Sequence, residues 1–122
     1  MNTKGSILYV DDEPMNLMLF TSIFEDDFNI ITGTSGQEGL EKLNQFPDIR
    51  IVFSDMKMPG MDGIRFITQA RQEHGVKTYF LITGYGITQE ISDALKKRII
   101  AKYFGKPLDI PEIESTITEI LG

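Results

Sequence analysis

Five short apolar runs, near residues 7–10, 28–32, 51–54, 79–83 and 101–104, alternate with five helix-like stretches, near 14–25, 36–45, 63–73, 88–98 and 111–121. This alternation limits the chain more than any single residue does. Ile7-Leu8-Tyr9-Val10, Ile51-Val52-Phe53-Ser54 and Tyr79-Phe80-Leu81-Ile82-Thr83 are apolar almost throughout instead of alternating with polar residues. Strands read this way when both faces are covered, as in a parallel sheet flanked by helices. The short connections favour crossovers onto neighbouring strands. A single α/β domain over residues 1–122 is therefore expected, built on an open parallel sheet with helices on both faces. Local signals fit this division. Ser35 and Glu38 have capping-box spacing, Pro14 suits a first helical turn, and Pro47-Asp48 and Pro59-Gly60 punctuate loops.

The composition excludes several chemistries. There are no cysteines and His74 is the one histidine, so disulfides, thiolate metal sites and multi-histidine metal sites are ruled out. The net charge of −6 disfavours direct binding to nucleic acid, which needs clustered Lys and Arg. No apolar run approaches the roughly 18 residues of a membrane span. Met1 to Ser6 lead into the first strand without a signal-peptide pattern, so an intracellular, cytoplasmic protein is expected.

The strand ends carry the chemistry. Asp11 and Asp12 close the first run, Asp55 the third and Thr83 the fourth, and Lys106 follows the fifth. In open parallel sheets, sites form beyond the carboxyl ends of the strands. If the first and third strands are neighbours, three carboxylates meet at one edge. At a spacing of roughly 5 Å and an effective dielectric of about 20, each like-charge pair costs roughly 3 kcal/mol. A hard divalent cation offsets such a cluster, and Mg²⁺ typically takes one or two carboxylates together with phosphate oxygens.

In order along the chain stand Asp11-Asp12-Glu13, then Asp55-Met56-Lys57-Met58-Pro59-Gly60-Met61-Asp62-Gly63, Thr83-Gly84, and Tyr103-Phe104-Gly105-Lys106-Pro107. This set resembles the receiver domain of two-component response regulators, from about Ser6 to Leu121. The resemblance implies a flavodoxin-like (βα)5 doubly wound sheet in strand order 2-1-3-4-5. It implies that Asp55 accepts a phosphoryl group from a histidine kinase or a histidine phosphotransfer protein, as carboxylate nucleophiles can. Asp12, Asp55 and the backbone carbonyl of Lys57 would hold Mg²⁺ directly, with Mn²⁺ as a substitute, and Asp11 would act directly or through water. Lys106 and Thr83 would each contact a phosphoryl oxygen. Thr83 would also act as a switch with Tyr103, the aromatic residue three before the lysine. Pro107 would follow a cis peptide bond.

Lys57 and Tyr85, two residues after Asp55 and Thr83, occupy positions that tune phosphoryl lifetime in the family. Their bulk predicts slow self-hydrolysis. In the first helix, Asn16, Leu19, Phe20, Ile23 and Phe24 follow a core-facing stripe, while Met15, Leu17 and Met18 lie off it. These three, with Pro107 and Leu108, are expected to dock the phosphodonor. Arg98-Ile99-Ile100-Ala101 replaces the Gly-Ala that many receivers place before the last strand. This departure bears on the face used for dimerisation, where a weak homodimer is compatible with the sequence. A flavin-binding module would want a Gly/Ser/Thr-rich phosphate loop where the acidic pair stands. Aspartate-nucleophile phosphatases carry a second Asp where Lys57 stands, so multiple turnover on an external substrate is not expected. The alternative is a phosphorylation-independent pseudo-receiver that acts through protein contacts.

Overall fold

A computed structural model of the protein describes residues 5–75 and 77–122. The domain boundary at residue 1 and the absent leader pattern over Met1 to Lys4 lie outside the described residues. The elements alternate without exception: β1 (Ser6–Val10), α1 (Pro14–Phe24), β2 (Asn29–Gly33), α2 (Gly36–Gln45), β3 (Ile51–Asp55), α3 (Gly63–His74), β4 (Thr78–Thr83), α4 (Gln89–Lys96), β5 (Lys102–Gly105) and α5 (Ile110–Leu121). All strand pairs are parallel and the order is β2-β1-β3-β4-β5, the flavodoxin-like arrangement.

Alternate strand residues feed two separate cores. Leu8, Val10, Val52, Tyr79 and Leu81 pack beneath α2, α3 and α4. Ile7, Tyr9, Ile51, Phe53, Phe80 and Ile82 pack beneath α1 and α5. The continuous apolar runs are two interleaved faces, each covered by helices. On the α1/α5 side the core is largely aromatic. The Phe53 ring lies 5.1 Å from Phe80, 5.9 Å from Phe104 and 5.5 Å from Phe20. Full burial of each such ring contributes about 1.5–3 kcal/mol. Among the described residues, no helix is long and apolar enough to cross a membrane.

Helix α1 corrects one reading of the sequence. Its buried residues are Leu17, Phe20 and Phe24, whereas Leu19 is 61% exposed and Ile23 is also exposed. Leu17, expected at a docking surface, is 7% exposed and belongs to the core. The helix is apolar nearly all the way round, so spacing alone leaves its rotation ambiguous. The Tyr9–Phe20 contact, with ring centroids 4.4 Å apart, shows which face meets the sheet.

Caps close the other helices. The side chains of Asp62, Thr88 and Asp109 accept from the backbone N–H groups of Arg65, Ile91 and Glu112. Ser35 caps α2 as expected, accepting from the Glu38 N–H at 3.0 Å. The return arm of the box is displaced by one residue, because Glu38 accepts from the N–H of Thr34 at 2.7 Å. After α4, the Arg98 N–H donates to Leu95 O and the Ile99 N–H to Ala94 O, a Schellman closure. Arg98 takes the left-handed position there, with φ of 59°, where glycine is usual.

Candidate phosphoacceptor and metal site

Parallel pairing brings the predicted residues to one edge. Val10 lies opposite Ser54 and Asp55 opposite Ile82, so the ends of β1, β3 and β4 are level. Backbone bonds fix the loops beyond them. The Asp11 N–H donates to Gly33 O, the Met56 N–H to Ile82 O and the Lys106 N–H to Thr83 O. Asp11, Asp12 and Asp55 each offer a carboxylate oxygen, and these oxygens lie within 4.8 Å of one another.

Asp55 is buried, and Lys106 Nζ stands 3.0 Å from its Oδ1. Burial pushes the Asp55 carboxyl above its ordinary value. The hydrogen bond from Lys106 opposes this, the charge of Asp11 adds to it, the Lys106 charge opposes it, and the charge of Asp12 adds again. Lys106, the cation that acts on Asp55 among the described residues, therefore does not offset burial and the neighbouring aspartates. Hard carboxylate oxygens with no sulfur or imidazole suit Mg²⁺ or Mn²⁺. The residues present thus fit such an ion, with Asp11, Asp12 and Asp55 as the candidate ligands.

Asp11 is 0% exposed and accepts three hydrogen bonds. The Tyr9 hydroxyl donates to Oδ2 at 2.8 Å, Asn16 Nδ2 donates to Oδ2 at 3.1 Å, and the Glu13 N–H donates to Oδ1 at 2.9 Å. Burial first, and then Asp11, raise the Tyr9 pKa, so the phenol stays protonated and remains a donor. Reasoning from the sequence missed Tyr9 and assigned Asn16 only to the core stripe. The available signal was a hydroxyl two residues before the acidic pair and an amide at the polar end of the stripe.

Thr83 is buried, and its Oγ1 accepts from the Tyr85 N–H at 3.2 Å. A cleft of about 340 Å³ over Asp55 is lined by Asp55, Met56, Lys57, Thr83, Gly84, Tyr85 and Lys106. Lys57 Nζ lies 4.8 Å from the centre of the Tyr85 ring, a cation–π contact across the cleft mouth. Tyr103 is half-buried against the α2/α3/α4 core, and Phe104 is buried on the opposite face. The Lys106–Pro107 peptide is cis.

A second concavity, about 310 Å³, runs between α1 and the β5–α5 loop. Asn16, Leu19, Phe20 and Ile23 form one wall, Lys106, Pro107, Leu108 and Ile110 the other, and Tyr9 lines it too. Elsewhere on α1, Met15 and Met18 are 73% and 70% exposed. Of the residues expected to dock a donor, Pro107 and Leu108 line this groove, Leu17 belongs to the core instead, and Met15 and Met18 are not among the lining residues, whereas Leu19 and Ile23 are.

A five-stranded parallel domain that gathers three aspartates, a threonine and a lysine at its carboxyl edge defines a signalling receiver. The family described as "Response regulator receiver domain" matches residues 7–118, and the chain belongs to it. It is 30% identical over 99% of its length to sporulation initiation phosphotransferase F of Bacillus subtilis (strain 168), of which the match covers 95%. It is 25% identical over 98% of its length to the hydrogenase transcriptional regulatory protein HoxA of Bradyrhizobium diazoefficiens. That match covers 24% of the regulator, so the chain spans about a quarter of its length. Among solved structures, the CheX–CheY–BeF₃–Mg²⁺ complex from Borrelia burgdorferi superposes with a TM-score of 0.85 at 30% identity, covering 97% of this chain and 90% of that one.

Proposed function

We propose that Asp55 accepts a phosphoryl group from a phosphohistidine on a histidine kinase or phosphotransfer protein, in a divalent-cation-dependent reaction in the cytoplasm. The observation that carries this is the meeting of Asp11, Asp12 and Asp55, with Lys106 as the cation paired to Asp55. An Asp55 carboxylate oxygen attacks phosphorus, the phosphorus–nitrogen bond breaks, and the imidazole leaves with its electron pair. Lys106 passes from the carboxylate to a phosphoryl oxygen, where its compact charge is matched. Thr83 donates its hydroxyl to another oxygen, and its movement frees space for Tyr103 to turn inward. When bound, Mg²⁺ would supply positive charge against the phosphoryl oxygens; Asp12, Asp55 and the backbone carbonyl of Lys57 would hold it, with Asp11 acting directly or through water. Phosphoryl transfer of this kind rests mainly on positioning and charge neutralisation. The name of the Bacillus relative supports phosphotransfer, and the Borrelia complex supports Mg²⁺.

Intact mass after incubation with acetyl phosphate and Mg²⁺ tests the reading. One phosphoryl adduct, absent in EDTA, is expected. No adduct under any condition would favour the pseudo-receiver.

The Lys57–Tyr85 contact narrows the approach of water to Asp55 through this cleft. An acyl-phosphate lifetime well above seconds is expected for the isolated domain. Tyr85→Ala removes a contact worth about 0.5–1 kcal/mol and so shortens the lifetime about two- to fivefold. Loss of mass adduct with time measures both.

The groove between α1 and the β5–α5 loop, together with the exposed Met15 and Met18 of α1, is the surface for the donor. Substituting both methionines with Ser slows transfer from a histidine-phosphorylated donor and leaves transfer from acetyl phosphate unchanged. Equal slowing of both reactions would remove the docking role.

A further inference from the structure

We propose that Tyr9 is a positioning residue that lowers the divalent-cation affinity of the acidic cluster through its hydrogen bond to Asp11. The proposal rests on the metal reading above.

A carboxylate has about four lone-pair sites. Tyr9, Asn16 and the Glu13 N–H fill three of those on Asp11, leaving one toward an ion or its water. The Tyr9 bond is 2.8 Å long and buried. A donor to a full carboxylate charge in such surroundings is strong. A bound cation draws on the same charge, so the phenol gains less from Asp11 once the ion is in place. The hydroxyl therefore stabilises the ion-free site more than the ion-loaded one.

The opposing effect is pre-organisation, since a donor that fixes a ligand can tighten binding. Here Asp11 stays fixed without Tyr9. It is 0% exposed, and Asn16 and the Glu13 N–H still hold one oxygen each. The phenol cannot turn away to relieve the competition, because its ring is buried 4.4 Å from that of Phe20. Charge competition outweighs pre-organisation, and the tyrosine sets the ion concentration at which the site fills.

The experiment is Mn²⁺ binding to the unphosphorylated protein, followed by loss of the free-ion paramagnetic resonance signal, with Mg²⁺ measured by competition. Tyr9→Phe keeps the ring and removes the hydroxyl. It is expected to bind both ions about three- to tenfold more tightly, as a weakened charge-assisted bond implies. Phe20→Leu loosens the same packing and keeps the hydroxyl, so it should lower the melting temperature without moving ion affinity. Unchanged or weaker binding by Tyr9→Phe overturns the proposal and leaves the metal reading standing. If neither the native chain nor the variant binds Mn²⁺, both fall.

Discussion

Asp55→Asn is expected to abolish the phosphoryl adduct and, at neutral pH without divalent ions, to raise the melting temperature. The first effect follows from loss of the nucleophile. The second follows from the charge arrangement at the sheet edge. Asn removes the repulsion of Asp55 with Asp11 and Asp12 and gives up one attraction to Lys106, a net gain of about 1–3 kcal/mol at an effective dielectric of about 20. For a domain of this size that is roughly 3–15 °C. The pH dependence has a definite sign. Asp55 is raised in the fold, above its ordinary value of 3.8. Its contribution to stability is fully present below the unfolded carboxylate pKa and is lost as pH rises through the folded one. The native chain should therefore lose stability relative to Asp55→Asn as pH climbs through this window, and the gap should persist at neutral pH. Mg²⁺ should close the gap by stabilising the native chain more than the variant. Melting curves of both proteins, across pH and with and without Mg²⁺, check each part. A variant less stable than the native chain at neutral pH would contradict the charge account.

Gly63→Ala is expected to produce the largest loss of stability among single-methyl additions near the site. An added Cβ at Gly63 would collide with the backbone carbonyl oxygen of Asp55 and lie 2.8 Å from Leu81 Cδ1. The carbonyl cannot swing aside, because Asp55 is a ladder residue of β3 and the next residue is tied twice, with the Met56 N–H donating to Ile82 O and the Gly63 N–H to Met56 O. Overpacking against fixed backbone typically costs about 1–3 kcal/mol and sometimes more. A fall of roughly 5–15 °C in melting temperature is expected. Because the collision is with Asp55, the proposed acceptor, acetyl phosphate labelling should also slow in the fraction that remains folded. Normal stability in the variant would show that the start of α3 can slide away from β3.

Much of this architecture was legible because the parallel sheet writes itself into the sequence as continuous apolar runs. Ile51 to Ser54 and Tyr79 to Thr83 could hardly be anything but covered strands. The edge strands were less clear and lay one residue further on, at Asn29–Gly33 and Lys102–Gly105, because one side of an edge strand has no partner to fix its ends. The order of the strands came from the family resemblance; apolar periodicity carries no information about which strand sits beside which. The rotation of α1 was illegible for a physical reason. Leu17, Leu19, Phe20 and Ile23 are all apolar, and only the aromatic stack of Phe20 on Tyr9 and Phe53 decides between them. At the site, the residue types at strand ends announced Asp11, Asp12, Asp55, Thr83 and Lys106. The partners of Asp11 were hidden because a tyrosine inside an apolar run reads as bulk, and its hydroxyl gains meaning only when the next loop folds back over it.

The acceptor edge also carries a timing rule. Asp11 and Asp12 leave β1, whereas Lys106 arrives only with β5, an edge strand whose sole ladder partner is β4. A chain emerging from the ribosome would thus display its acidic pair and Asp55 well before the lysine that partners the acceptor exists. Competence to take phosphate would be acquired only once β5 is made and, since β5 pairs on one side only, would be among the first properties lost when that edge frays. Labelling by a small phosphodonor would then report whether the sheet is assembled from β1 through to β5.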